Sequence, residues 1–157
     1  MELQEDGIIA KNRKAYFEYQ IMEEFDAGIV LQGSEVKSLR AHSCNITDSY
    51  ADIRYAANGN PEVYLLNLNI NEYKNAGKRN HQPRRVRKLL MHKKEIRKLI
   101  GKLEQKGFTL IPLIIYFNHR GLVKIKLALG KGKNQRDKRE TIKKRDWNRQ
   151  KSRELKG

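Results

Sequence analysis

The chain of 157 residues carries 34 Lys and Arg against 18 Asp and Glu, a net charge of +16, with 38% hydrophobic residues. That supports one modest core with an appendage and leaves little room for a second domain. The longest apolar run, Leu110–Phe117, is interrupted by Pro112 and is far too short for a bilayer, so no membrane partner is expected.

Residues 1–7 read as a short flexible lead, acidic and polar and unlike a secretory signal. Tyr16–Ile21 and Ala27–Leu31 are rich in strand formers. Gly33-Ser34 ends the second of these, and Ser34 is placed to cap a helix over Glu35–Ala41. Ser49–Ala56 alternates as a strand, Asn58-Gly59-Asn60-Pro61 turns the chain, and Glu62–Ile70 returns. Residues 71–83 are polar and read as a loop. Ile96, Leu99, Ile100 and Leu103 then fall on one face of a helix whose outer side carries Lys94, Arg97, Lys98 and Lys102. After Gly107, Phe108–Phe117 predicts a strand with an edge or bulge at Pro112. Val123, Ile125, Leu127 and Leu129 alternate with Lys124 and Lys126 in a half-exposed last strand. Strands joined by short loops without a βαβ rhythm predict a mostly β fold, an antiparallel sheet or small barrel with packed helices.

Beyond Gly130 the composition changes. Gly130-Lys131-Gly132-Lys133 reads as a hinge, and among residues 138–157 only Ile142, Trp147 and Leu155 are large and apolar. Three such side chains do not offset the entropy of ordering the segment. Residues 131–157 are therefore expected to be a basic tail, disordered when free and helical against a polyanion, roughly 35 Å long as a helix from Asn134 to Lys156. An indole at Trp147 with almost no apolar neighbours points to a partner surface.

The charge is concentrated. Residues 74–106 hold 13 Lys and Arg against Glu95 and Glu104, residues 131–157 hold 12 against four acids, and the remainder is slightly acidic. Two basic blocks indicate a directed surface for polyphosphate. Arg84, Arg85, Arg87 and Lys88 offer phosphate contacts, and Tyr50 is one of several tyrosines able to present a stacking face. Enzymatic chemistry has no positive support. His42, His81, His92 and His119 are scattered, and His81 and His92 read as surface histidines. One cysteine, Cys44, completes no zinc site and fits a reducing cytoplasm. No phosphate-binding loop or dinucleotide fingerprint is present, so no cofactor is expected.

The stretches Ile9-Ala10-Lys11-Asn12-Arg13-Lys14-Ala15, Gly33-Ser34-Glu35-Val36-Lys37-Ser38-Leu39-Arg40, Asp48-Ser49-Tyr50-Ala51 and Arg87-Lys88-Leu89-Leu90 resemble the SmpB family, the SsrA-binding proteins. So does the tail, from Gly130 through Asp137-Lys138-Arg139, Ile142-Lys143 and Arg145-Asp146-Trp147. The resemblance implies an oligonucleotide-binding-like antiparallel β-barrel over residues 8–130, with flanking α-helices and a basic C-terminal tail. It implies an adaptor that binds the tRNA-like domain of tmRNA and accompanies alanyl-tmRNA with elongation factor Tu to stalled ribosomes. There the tail occupies the empty mRNA channel beside the decoding region. Residue by residue, it places Asn12, Arg13, Asp26, Tyr50 and Leu90 at the tmRNA interface. It places Gly132 at the hinge, and Arg136, Asp137, Lys138, Arg139, Lys143, Arg145 and Trp147 in the ribosome-engaging tail. Two positions depart from the family pattern: Asp26 stands where Glu is common, and Arg136 where some members have His. The rival reading is a general RNA-binding or ribosome-associated protein without tmRNA specificity.

Overall fold

The computed structural model describes residues 7–133 and 135–156, without the side chains of 135–138, 140, 141 and 152–156. Residues 1–6, most of the expected N-terminal lead, lie outside the described residues. The elements run β1 (Ile8–Lys11), α1 (Arg13–Glu18), β2 (Tyr19–Ile29), α2 (Gly33–Arg40), β3 (Cys44–Asn45), β4 (Tyr50–Tyr55), β5 (Pro61–Leu66), β6 (Asn69–Ile70), β7 (Arg87–Leu90), α3 (Lys93–Leu103), β8 (Phe108–Phe117), β9 (Val123–Gly132) and α4 (Gln135–Lys156). All pairings are antiparallel, in the order β1-β8-β4-β5-β7-β2-β9, and β9 pairs back with β8. The ring of strands is therefore closed, an oligonucleotide-binding-like barrel with β1 added outside β8. Closure removes most of the unpaired edges that an open sheet of this size would expose.

Alternation fills the barrel. Val63, Leu65, Leu89, Leu110, Ile125, Leu127 and Leu129 point inward at no more than 2% exposure. Ile96 and Leu99 of α3 join the same core. β8 is buried on both faces, which explains its near-continuous apolar sequence. Its outer side is covered by α1, where Ala15 packs against Ile111, Leu113 and Ala128. Pro112 sits at a bulge, marked by a register shift against β9, and not at a sheet edge.

Three sequence expectations are corrected. The strand expected over Tyr16–Ile21 is divided: Arg13–Glu18 is helical, and Tyr19 begins an 11-residue strand that also absorbs most of Ala27–Leu31. Asn12 starts the helix, its Oδ1 accepting from the Ala15 amide at 3.2 Å. Ser34 lies inside the first turn of α2 and not at its cap. The Gln32 amide instead donates to Glu35 Oε1 at 2.8 Å. Finally, Arg87–Leu90, where the sequence pattern predicts no element, is a strand between β5 and β2.

Candidate nucleic-acid interface

The outward residues of β7, β2 and β9 form one continuous face. Gly28 faces Leu90 on one side and Lys124 on the other. A Cβ at residue 28 would come within 3.3 Å of Leu90 Cβ and 3.7 Å of Lys124 Nζ. Glycine at this position therefore lets an aliphatic side chain and an ammonium approach across the strand between them. Leu90 is 53% exposed, an apolar group offered to solvent with no packing reason of its own. Asp26 is exposed on the same face, and Tyr116 Oη donates to its Oδ1 at 3.0 Å. Burial, reinforced by that bond, pushes the Tyr116 hydroxyl up to about 12, so it remains a donor at any physiological pH. Lys88 and Lys126 flank the patch, paired with Glu62 at 3.1 Å and Glu24 at 3.6 Å. Such exposed pairs are weak and readily exchanged for phosphate.

A second cluster lies where α1 meets the turn before β4. A pocket there is lined by Asn12, Lys14, Ser49 and Tyr50 among others. Tyr50 is 40% exposed, and Arg13, between Asn12 and Lys14 in sequence, is exposed as well. Asn12 is not free to reach RNA: it is 4% exposed, and its Nδ2 donates to the Pro112 carbonyl at 3.0 Å. Its expected place at the RNA surface is corrected to a positioning one, because Oδ1 caps α1 and Nδ2 ties that cap to β8.

The basic run also divides. Arg84 and Lys88 are exposed, but Arg87 is 0% exposed, and its role as a phosphate contact is withdrawn. Its Nε donates to Glu35 Oε2, its Nη1 to the Leu68 carbonyl at 2.7 Å and its Nη2 to the Pro83 carbonyl at 3.0 Å. Arg85, partly exposed, pairs with the other oxygen of Glu35. Burial alone would raise the Glu35 carboxyl, but the Gln32 amide and the two guanidiniums outweigh it and hold it below the ordinary carboxylate value. His81, expected at the surface, is 3% exposed. Its Nε2 meets the Ile70 carbonyl at 2.8 Å, so that nitrogen carries the proton and Nδ1 accepts from Ser34 Oγ at 2.8 Å. The Ser34–His81 pair is a buried clamp on the 71–83 segment. Among the described residues no group of three or more His, Cys, Asp or Glu is placed to hold a metal.

The tail leaves from the opposite end of β2. Gly132 pairs with Tyr19, the Lys133 amide donates to the Glu18 carbonyl at 2.9 Å, and α4 follows. Arg145 lies over the Phe17 ring at 5.6 Å, while Arg139, Lys143 and Trp147 are exposed, Trp147 at 65%. The side chains of Arg136, Asp137 and Lys138 lie outside the described residues. No helix among the described residues is long and apolar enough to cross a membrane.

Lys124, Lys126, Tyr116 and Glu35 escaped the sequence-based site. The alternation of β9 marked both lysines as outward, but which neighbours they would meet depended on the barrel closing.

The family model for the SmpB protein matches residues 9–157. The chain belongs to the SmpB family. It is 56% identical over 146 residues to the SsrA-binding protein of Wolbachia sp. subsp. Drosophila simulans (strain wRi), covering 93% of this chain and 95% of the relative. Identity is 55% over 148 residues to that of Afipia carboxidovorans, covering 94% and 91%. The corresponding Thermosipho melanesiensis protein is 53% identical over 150 residues, covering 96% and 99%. A solved structure described as "tmRNA-SmpB: a journey to the center of the bacterial ribosome" superposes with a TM-score of 0.64 at 47% identity, covering 85% of this chain and 93% of that one. Within the SmpB family fold, the exposed Leu90–Lys124 face and the basic helix occupy the two ends of one barrel.

Proposed function

We propose that this SmpB-family chain is a cytoplasmic, non-enzymatic adaptor of trans-translation. Its barrel binds the tRNA-like domain of tmRNA and its basic tail engages the ribosome. One observation carries the reading: an exposed leucine, a positioned carboxylate and lysines converge at one end of β2, while a cationic helix springs from the other. A mixed aliphatic and cationic face suits a folded RNA recognised by shape and phosphate contacts. A helix with almost no apolar surface suits an RNA-walled channel, entered only when mRNA is absent. Such a division lets one molecule read tmRNA and a vacant ribosome together, delivered with elongation factor Tu and alanyl-tmRNA. The helical form of the tail belongs, in this reading, to the ribosome-bound state.

The test is competition binding of tmRNA against an unrelated folded RNA of equal length, repeated with the chain truncated after Lys133. The full chain should prefer tmRNA and the truncated chain should keep that preference while losing tagging on stalled ribosomes. Equal affinity for both RNAs would leave only a general RNA-binding protein. Loss of tmRNA affinity on truncation would overturn the division of labour.

A further inference from the structure

α3 carries a glycine that the fold does not need. Residues 94, 97, 98 and 101 lie on the side of the helix opposite the buried Ile96 and Leu99. They are Lys94, Arg97, Lys98 and Gly101, all exposed. A Cβ built at Gly101 meets nothing within 4 Å, and its backbone conformation is not one that excludes side chains. No turn, no crossing helix and no left-handed backbone asks for glycine there. Mid-helix glycine costs about 1 kcal/mol relative to alanine, so the fold would be more stable without it. What glycine adds is a bare patch of helix backbone ringed by three cationic side chains.

The position of α3 narrows what would use that patch. Lys98 reaches Glu23 on β2 at 2.6 Å. The Gly132 amide at the root of the tail donates to the carbonyl of Gly107, just beyond α3, at 3.1 Å. Gly28, where Leu90 and Lys124 meet, lies five residues further along β2, roughly 16 Å away at the usual rise per residue. The later part of α3, with Lys98 and Gly101, thus flanks the tail, while Lys94 in its first turn follows Leu90 by four residues.

We propose that the outer face of α3, centred on Gly101, docks on the sugar–phosphate backbone of ribosomal RNA beside the path of the tail. The glycine lets the RNA strand come against the helix, so that Lys94 and Arg97 reach phosphates on either side. Lys98 exchanges Glu23 for phosphate or stays as a second layer of positive charge. This inference rests on the adaptor reading and adds to it a body surface that binds the ribosome independently of the tail.

The experiment uses the full chain with Gly101→Ala and Gly101→Gln, and a separate Lys94→Ala/Arg97→Ala variant. Thermal unfolding, binding to ribosomes with an empty A site across a salt series, and binding to tmRNA are measured. Both glycine substitutions should raise Tm by about 2–4 °C. Gly101→Gln should weaken ribosome binding about fivefold or more and reduce the salt slope by about one, as the lost phosphate contact requires. The double variant should reduce that slope by about two. Affinity for tmRNA should stay within about twofold in all three, since phosphate contacts elsewhere supply it. Ribosome binding by Gly101→Gln equal to wild type would overturn the proposal. So would a fall in Tm, which would make the glycine a requirement of the fold. An equal loss toward tmRNA would assign the face to tmRNA and overturn the ribosomal assignment. Failure of the adaptor reading itself shows separately, as no preference of the wild-type chain for tmRNA over the unrelated RNA.

Discussion

Replacing Glu35 by Gln removes one charge from a site where neither it nor Arg87 has any exposure. Gln keeps the volume and one acceptor oxygen but leaves the Arg87 guanidinium buried without an anion, its partners then all neutral: the Gln amide and the Leu68 and Pro83 carbonyls. Breaking a buried pair from one side costs about 3–5 kcal/mol, about a fifth or more of the stability of a typical domain. Arg85 contributes less, because it is partly exposed and turns to water when Glu35 is lost. The double replacement Glu35→Leu with Arg87→Met removes both charges together, so it should cost less than the two single changes added, by about 1–3 kcal/mol of coupling. Urea unfolding measures Glu35→Gln, the two single changes of the cycle and the double. The pH dependence supplies an independent check. The Glu35 carboxyl is held below its ordinary value, so its contribution is fully present above the unfolded value and is lost as pH falls through the lowered folded one. An acid-sensitive limb below the ordinary carboxylate range should therefore be present in the wild type and reduced in Glu35→Gln. A Gln variant within about 1 kcal/mol of wild type would refute the reasoning, since that is the scale of an ordinary neutral hydrogen bond. The same network predicts that Arg87→Met, while folded, keeps the wild-type salt slope for RNA. A slope lowered by about one would make Arg87 a phosphate contact after all.

Two further changes separate positioning from contact. Tyr116→Phe removes the donor to Asp26 and should cost about 0.5–1.5 kcal/mol of stability, with a matching loss of tmRNA affinity and an unchanged salt slope. If affinity stays at the wild-type value, the orientation of Asp26 does not matter. Trp147 is the single tryptophan of the chain, so its emission reports the tail alone. It should be that of a hydrated indole in the free protein and shift to the blue on ribosomes. Trp147→Ala should weaken ribosome binding by roughly 1–3 kcal/mol if the ring stacks on a base. An unshifted spectrum on binding would make the tail a charge tether without a seat for the ring.

The barrel was legible where local pattern and burial agree. Val123, Ile125, Leu127 and Leu129 alternate in sequence and are inward or half-buried in the fold, and Asn58-Gly59 turns the chain with Gly59 at φ 83°. α3 announced itself by an apolar stripe that the barrel end then covers. α1 was illegible for the opposite reason. Its six residues include Tyr16 and Phe17, good strand formers, and the helix exists because Asn12 is locked to the Pro112 carbonyl and Ala15 fits the outer wall of β8. A short helix held by partners about a hundred residues away leaves no periodic trace.

The charge census misled in a more instructive way. Residues 74–106, about a fifth of the sequence, carry its largest positive excess, yet their cations do not act as a block. Arg87 and Arg85 share the carboxylate of Glu35, about fifty residues earlier, Lys88 is paired with Glu62, and Lys98 with Glu23. Arg87 reads as surface because an arginine inside a strand and one in a loop look identical in sequence. The deciding partner lies in a helix that reaches it only once the barrel closes. Conversely, Lys124 and Lys126 sit outside both basic blocks, in a stretch that is mostly core, and they reach the Leu90 face because β9 pairs with β2. RNA-binding surface is thus set by which cations the fold leaves without a buried partner, and the density of Lys and Arg along the chain measures only the supply.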